Sequence, residues 1–345
     1  MATRIGSYTL RLDKAPSIAG FASVASKKES EGPMAAYIDL LCEDSTFGET
    51  SWEKAESRMQ KDAVNKALEK GGLSTTQIQY LFAGDLLNQC ISSTYGLRDL
   101  GVPFLGLYGA CSTMAESLSL AALFVEGGFA QRCLAVTSSH FCSAERQFRF
   151  PLEYGGQRTP TSQWTVTGSG ACVVGEQSGP PFVRAVTVGT IEDMGIKDIN
   201  NMGAAMAPAA AMTLKHFFED TNTNPSNYDL ILTGDLGLVG SRMLTQLMEE
   251  SGYSISQAHQ DCGLMIYDRE SQDVHAGGSG CGCSAVVLCS RILQELQQGQ
   301  LRDVLFIATG ALMSTTSVQQ GESIPSIAHL LHLSHLPGPD MGAGQ

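Results

Sequence analysis

Residues 109–140, GACSTMAESLSLAALFVEGGFAQRCLAVTSSH, recur without a gap as residues 280–311, GCGCSAVVLCSRILQELQQGQLRDVLFIATGA. In each copy a small-residue turn becomes an apolar helix, a glycine stops it (Gly128, Gly299), and a hydrophobic strand follows through Leu134 or Leu305. A recurrence of this length marks one supersecondary unit used twice. Farther out, 78–89 (IQYLFAGDLLNQ) matches 228–239 (YDLILTGDLGLV), and both end a strand on Gly-Asp-Leu. The offset is 171 residues for the first pair and 150 for the second. The second half therefore carries 21 further residues within 240–275, a stretch that holds Cys262 and His275. The alternation predicts an α/β protein of two similar β-α-β units facing each other across a pseudo-twofold axis.

Around this frame, 52–70 reads as an amphipathic helix stopped by Gly71-Gly72, and 78–83 as the strand after it. The stretch Gln177-Ser178-Gly179-Pro180-Pro181, after the strand 171–175, is the expected hinge. It divides the chain into an N-terminal half, 1–180, and a C-terminal half, 181–335. The Pro- and Gly-punctuated 336–345 is expected to be a disordered tail.

Composition narrows the function classes. With 345 residues, 43% hydrophobic and 17% charged, the chain has enough apolar material for a packed core. A net charge of −13, with no basic block longer than Lys27-Lys28, argues against nucleic acid and against unaided attraction to an anionic membrane. The ten cysteines lie mostly in apolar segments and fit a reducing, cytoplasmic setting. The first residues lack a signal-peptide pattern, and no run approaches the ~20 apolar residues of a membrane span.

Cys111 stands at the start of the first repeated helix, where unpaired N–H groups and the helix dipole favour thiolate. Its counterpart in the second copy is Gly282, so the duplicated architecture carries this thiol on one side only. The same residue also reads as a small buried hydrophobe. A zinc role for Cys281-Gly-Cys283 is weaker, because no second Cys or His pair stands at finger-like spacing.

A duplicated β-α-β unit with a lone cysteine at the first helix N-terminus resembles the thiolase superfamily, which includes the ketoacyl synthases. TVTGSGACVV (165–174) is similar to the strand closing the first half in those enzymes. More specifically, FAGDLLNQ (82–89), GACSTMAES (109–117), SSHFCSAERQFRFPLEYGG (138–156), DCGLMIY (261–267), AGGSGCGCSAVV (276–287), ATGALMS (308–314) and QQGESIPSIAH (319–329) resemble the stage V sporulation protein AD family of endospore-forming bacteria.

This resemblance implies a five-layer αβαβα thiolase-like sandwich. It also implies a non-catalytic protein that binds pyridine-2,6-dicarboxylic acid (dipicolinic acid) for uptake into the developing spore. The implied partners are the stage V sporulation A membrane proteins at the spore inner membrane, and a homodimer is expected by analogy. The rival is a condensing enzyme using Cys111 as acyl acceptor from coenzyme A. Against it, Asp235 stands where the superfamily places an oxyanion-stabilising His or Asn, and Ala308 falls near the place of the second catalytic cysteine. His275 matches the superfamily's Gly-His-Pro histidine by glycine spacing alone; the stronger reading is an ordinary turn histidine.

For a flat dicarboxylate, the helix start at Cys111–Met114 offers backbone donors. His140 reads as a ligand donor or as a tie for the following loop, and His329 as a group reaching the same cleft. Arg146 and Arg149 suit a carboxylate or order the long loop 141–163, a candidate lid. Calcium is the one cofactor considered, brought as a neutral one-to-one chelate with Asp235 as an oxygen ligand, since a chain at −13 repels a free dianion.

Overall fold

A computed structural model describes residues 2–153, 156–176 and 178–338. The first half contributes strands β1 (Ser17–Ala25), β2 (Tyr80–Gly84), β3 (Phe104–Gly106), β4 (Arg132–Ser139) and β5 (Gly168–Gly175). The second contributes β6 (Phe182–Thr187), β7 (Leu230–Thr233), β8 (His259–Asp261), β9 (Asp303–Ala311) and β10 (Ser326–Ser334). They run in the order β8-β7-β9-β10-β6-β1-β5-β4-β2-β3. Read outward from the middle, each side has two antiparallel neighbours and then two parallel ones. The two sides meet at one register pair, Phe182 with Ser17, which marks the pseudo-twofold axis. The repeat seen in the sequence is thus a repeat in space. β4 and β9 start 171 residues apart, as the alignment of the two copies requires.

Helices build the layers. α1 (Trp52–Gly71) starts on Ser51, whose side chain accepts from the Lys54 N–H, and stops at Gly72 with φ of 64°, a left-handed cap suited to glycine. α2 (Ile91–Leu97) lies beside it. α3 (Thr113–Glu126) and α6 (Cys281–Val287) fill the centre, while α4 (Met202–Thr221) and α5 (Gly237–Glu250) cover the far face. Strand alternation assigns each face. Leu81, Ala83, Leu134 and Val136 pack outward on α1, whereas Phe82, Cys133 and Ala135 point to the central helices. On the other side Ile231, Leu305 and Ile307 face α4, and Leu232, Val304 and Phe306 face the centre. Five layers result, αβαβα, and the central one is buried by both sheets.

The N-terminal residues cross to the opposite half. A hairpin of Thr3–Ile5 and Thr9–Arg11 pairs its second strand with β6. Asp220, near the end of α4, accepts the N–H groups of Ser7, Tyr8 and Thr9 at 2.9, 2.8 and 2.8 Å, and Tyr8 stacks on His216 at 3.6 Å. The extra residues of the second half lie in α5, longer than its counterpart α2, and in the turns leading to Gly278. Of the expected disordered tail, 339–345 lies outside the described residues.

Close approach explains why the second copy lacks a cysteine. A Cβ at Gly282 would come within 2.5 Å of the Gly168 carbonyl oxygen and 2.9 Å of the Ser139 nitrogen, while its own N–H donates to Ser139 Oγ at 3.0 Å. At the mirrored place the chain has Gly310 in place of Ser139, and a Cβ there would meet the Gly109 oxygen at 2.2 Å. Gly282→Ala should therefore cost about 1–3 kcal/mol through forced backbone shifts, read as a lowered midpoint in thermal or urea unfolding. An unchanged midpoint would refute this packing account.

Candidate functional site

A cleft opens beside the start of α3. Its floor includes Ala110 and Cys111, its walls Leu86, Tyr108 and Met206, and its roof comes from the segment after β4. That segment, expected as a loop over 141–163, is helical at first: Phe141–Ala144, then a π-type turn Glu145–Arg149, then Phe150–Glu153. π-turns frequently mark functional positions. Here the turn places Glu145, Phe148 and Arg149 on the cavity.

Cys111 is held as a thiol. Ala110 before it has φ of 49°, so the turn projects the cysteine from a left-handed position. The Cys111 thiol lies beside the Asp235 carboxylate, and it keeps partial exposure toward the cleft. Burial pushes its pKa well above the usual thiol value, and the neighbouring Asp235 and Cys281 push it the same way; only the Gly280 N–H opposes. The expected thiolate at a helix start is therefore corrected. Loss of hydration beside a carboxylate outweighs the helix dipole.

Asp235 is fully buried beneath this thiol. Oδ2 accepts from the Gly280 N–H at 2.8 Å and Ser279 Oγ at 3.2 Å, and Oδ1 from Thr309 Oγ1 at 3.0 Å. Burial raises its pKa to about 6 against these donors, so it is mostly ionised at neutral pH. Its oxygens are occupied by protein donors and it does not line the cleft. The calcium-ligand geometry expected for it is not present. Among the described residues no group of three or more His, Cys, Asp and Glu is gathered as a metal site.

The histidines lie elsewhere. His140 is buried, its Nε2 donating to the Ser45 carbonyl at 2.8 Å and its Nδ1 accepting from the Cys142 N–H at 3.1 Å. Both ring nitrogens are used, which is the loop-tying alternative. Burial lowers its pKa, only partly offset by Ser45, and keeps it neutral. His329, on β10 opposite Ala308, accepts from the Gly189 N–H at 3.3 Å, and burial lowers its pKa to about 4. His275 occupies a left-handed turn with φ of 50° beside Asp273. None of the three lines the cleft.

The charge in the cleft is an arginine pair, half of it unanticipated. Arg149 reaches Glu145 Oε2 at 3.6 Å and Arg158 reaches Glu145 Oε1 at 3.3 Å. Arg158 also donates to the Gln163 carbonyl and lies 4.9 Å above the Trp164 ring. Two guanidinium groups meet the Glu145 carboxylate against apolar walls, and Asp273 adds negative charge toward Arg158. Arg146 instead pairs with Glu53 near the surface and stays outside the cleft. Arg158 lies nine residues beyond Arg149 with no periodic pattern between them, so only the folded roof brings them together.

Comparisons with known proteins agree with this architecture. The family model for stage V sporulation protein AD matches residues 6–334. The chain belongs to the stage V sporulation protein AD family. A curated family relative, stage V sporulation protein AD of Bacillus subtilis (strain 168), is 50% identical over 307 residues, covering 89% of this chain and 90% of that protein. The fold is shared with 3-oxoacyl-[acyl-carrier-protein] synthase III from Aquifex aeolicus VF5, at TM-score 0.59 and 13% identity over 93% of this chain and all of that one. Cerulenin-bound OleA of Xanthomonas campestris matches at TM-score 0.60 and 15% identity, covering 94% and 97% of the two chains. At such identities the likeness concerns the thiolase-like fold alone. The family name denotes sporulation, whereas these fold neighbours are named as enzymes.

The thiol assignment has a direct chemical readout. Native Cys111 should react slowly with iodoacetamide at pH 7.5, with a rate still climbing above pH 9. Asp235→Asn should speed alkylation, by about tenfold for each unit by which the thiol pKa falls. Rapid alkylation of the unsubstituted protein at neutral pH, mapped to Cys111 by peptide mass, would show a thiolate instead.

Proposed function

We propose that this chain binds dipicolinic acid in the cleft between Cys111 and the Arg149–Arg158 pair, and serves its uptake into the developing spore rather than a condensation reaction. The observation that carries this reading is the guanidinium pair sharing a single carboxylate. Two guanidinium groups framed by Tyr108, Phe148 and Met206 suit a flat aromatic anion, with charge-assisted bonds to one carboxylate and apolar contact to the ring. Local charge then outweighs the −13 of the whole chain at contact distance. Calcium enters as an ion already chelated by the ligand.

The condensing-enzyme alternative needs a nucleophilic thiolate and stabilisers for an oxyanion. Cys111 is instead a buried thiol beside the Asp235 carboxylate, and a carboxylate repels developing negative charge. Ala308, buried in β9, offers no acid or base. Among the described residues no helix is long and apolar enough to cross a membrane. Work at the spore inner membrane would thus rest on stage V sporulation A membrane proteins as partners.

A second copy of the chain is proposed to pair along β3. This edge strand is exposed along its length, with Phe104 at 39% and Leu105 at 40% accessible, and Tyr95 and Tyr108 stand exposed nearby. Unpaired strand edges with apolar side chains seek a partner.

Titration calorimetry with dipicolinate should give saturable heat, weakened about 10- to 100-fold in Arg158→Ala, the loss of one charge-assisted contact. Absence of heat with and without Ca²⁺ would sink the binding reading. Incubation with acetyl-CoA should leave the intact mass unchanged, whereas an acetyl adduct on Cys111 would revive the enzyme. For the dimer, Leu105→Asp should convert it to monomer in light scattering, and an unaltered mass would move the interface elsewhere.

A further inference from the structure

We infer that Glu56, as a neutral carboxylic acid, is a positioning residue that sets the cavity roof and through it the arginine pair; the role in ligand binding rests on the reading above. Glu56 is fully buried on the inner face of α1. Its Oε1 lies 2.9 Å from Ser138 Oγ, at the end of β4, and its Oε2 lies 2.9 Å from Ser143 Oγ, in the first turn of the roof. One turn farther along α1, Gln60 Nε2 donates to Ser138 Oγ at 2.7 Å and to Ser93 Oγ at 2.9 Å. Ser93 Oγ in turn lies 2.6 Å from Asp85 Oδ2.

Ser138 and Ser93 accept from the Gln60 amide, so their own hydrogens point to Glu56 Oε1 and Asp85 Oδ2. Ser143 has one hydrogen and two acceptors in reach, Glu56 Oε2 at 2.9 Å and the His140 carbonyl at 3.1 Å, the latter also accepting from the Ala144 N–H at 3.0 Å. With a proton on Oε2, Glu56 donates to Ser143 and Ser143 donates to His140, so one chain of bonds runs from α1 into the roof. An ionised Glu56 must instead take the Ser143 hydrogen, and it adds a second buried negative charge beside Asp85. Among the described residues no Lys or Arg hydrogen-bonds to either carboxylate.

The groups joined here are those that shape the cleft. His140 caps the roof segment, Ser143 precedes Ala144 and Glu145, and Asp85 precedes Leu86, all next to cavity-lining positions. The titratable groups facing Glu56 from its neighbours are Asp85 at the end of β2, Cys281 of α6, whose thiol donates to the Ser138 carbonyl at 2.9 Å, and His140 of the roof, neutral by its two backbone contacts. Beyond Asp85 lie Cys90 and Glu116, and on α1 itself the Glu53–Arg146 pair is one turn earlier. Burial first, and Asp85 second, hold the Glu56 carboxyl at about 8, so it carries its proton at neutral pH.

The test compares the unsubstituted site with Glu56→Gln, whose amide accepts from Ser138 and donates to Ser143 as the protonated acid does. Both are placed in a Trp52→Phe background, leaving Trp164, stacked on Phe141 at 3.8 Å, to report on the roof. Between pH 6.5 and 9.5 the parent should lose dipicolinate affinity by roughly threefold or more and shift its Trp164 emission, both with a midpoint near the Glu56 pKa. Glu56→Gln should bind like the parent at pH 6.5 and stay flat across the range. A flat parent emission, or the same transition in Glu56→Gln, overturns the inference. Failure of dipicolinate to bind at any pH fells the ligand reading alone, and the emission arm still judges Glu56.

Discussion

The Asp235 carboxylate is the constraint on which the centre of this molecule depends. From the end of β7 it takes hydrogen bonds from the start of α6, through Ser279 and Gly280, and from β9 through Thr309, and the Cys111 thiol at the start of α3 lies beside it. One buried group therefore ties α6 to the second-half sheet and meets the start of α3. Its repeat counterpart, Asp85, ends β2 in the same way but bonds to Ser93 and the Leu87 N–H. Duplication supplied two aspartates at equivalent strand ends, and their surroundings have given them different work.

The chemistry of the cleft follows from that difference. A buried thiol beside a carboxylate is held protonated and is a poor nucleophile, so the most enzyme-like feature of the chain becomes part of a wall. Catalytic thiolase-like sites gather neutral or cationic groups around the cysteine; here the anion stands behind it and the cations stand across the cavity in the roof. The field across the cleft thus points from Arg149 and Arg158 toward Asp235, so the potential is most positive at the roof.

Much of the fold was legible because the repeat is long and its glycines are obligatory: Gly282 and Gly310 each have backbone oxygen within van der Waals contact of any added Cβ. Helix α1 declared itself by Ser51 and Gly72. The site was less legible. Cys111 and Arg149 were found, since one is singled out by the broken symmetry and the other lies in the segment that roofs the cleft. His140, His329 and His275 were drawn to the site by residue type, yet two are neutral and buried and the third lies in a turn. Arg158 and Glu56 left no local trace, because their meaning lies in partners far off in the chain: Trp164 and Glu145 for one, Ser138 and Ser143 for the other.

The N-terminal hairpin has a mechanical consequence. The two sheets diverge past the single Phe182–Ser17 pair, and Thr9–Arg11 fills the wedge that opens beside β6, anchored by Asp220 and Tyr8. The chain therefore begins by stitching itself to the half that it completes last. During synthesis this stitch must wait for β6 and α4 to emerge, so residues 7–11 stay without these partners until Asp220 has been made. A force that pulls the two halves apart would load the hairpin together with the Phe182–Ser17 junction, where Ser178, Gly179 and Pro181 also bond to Ser17 and Ile18.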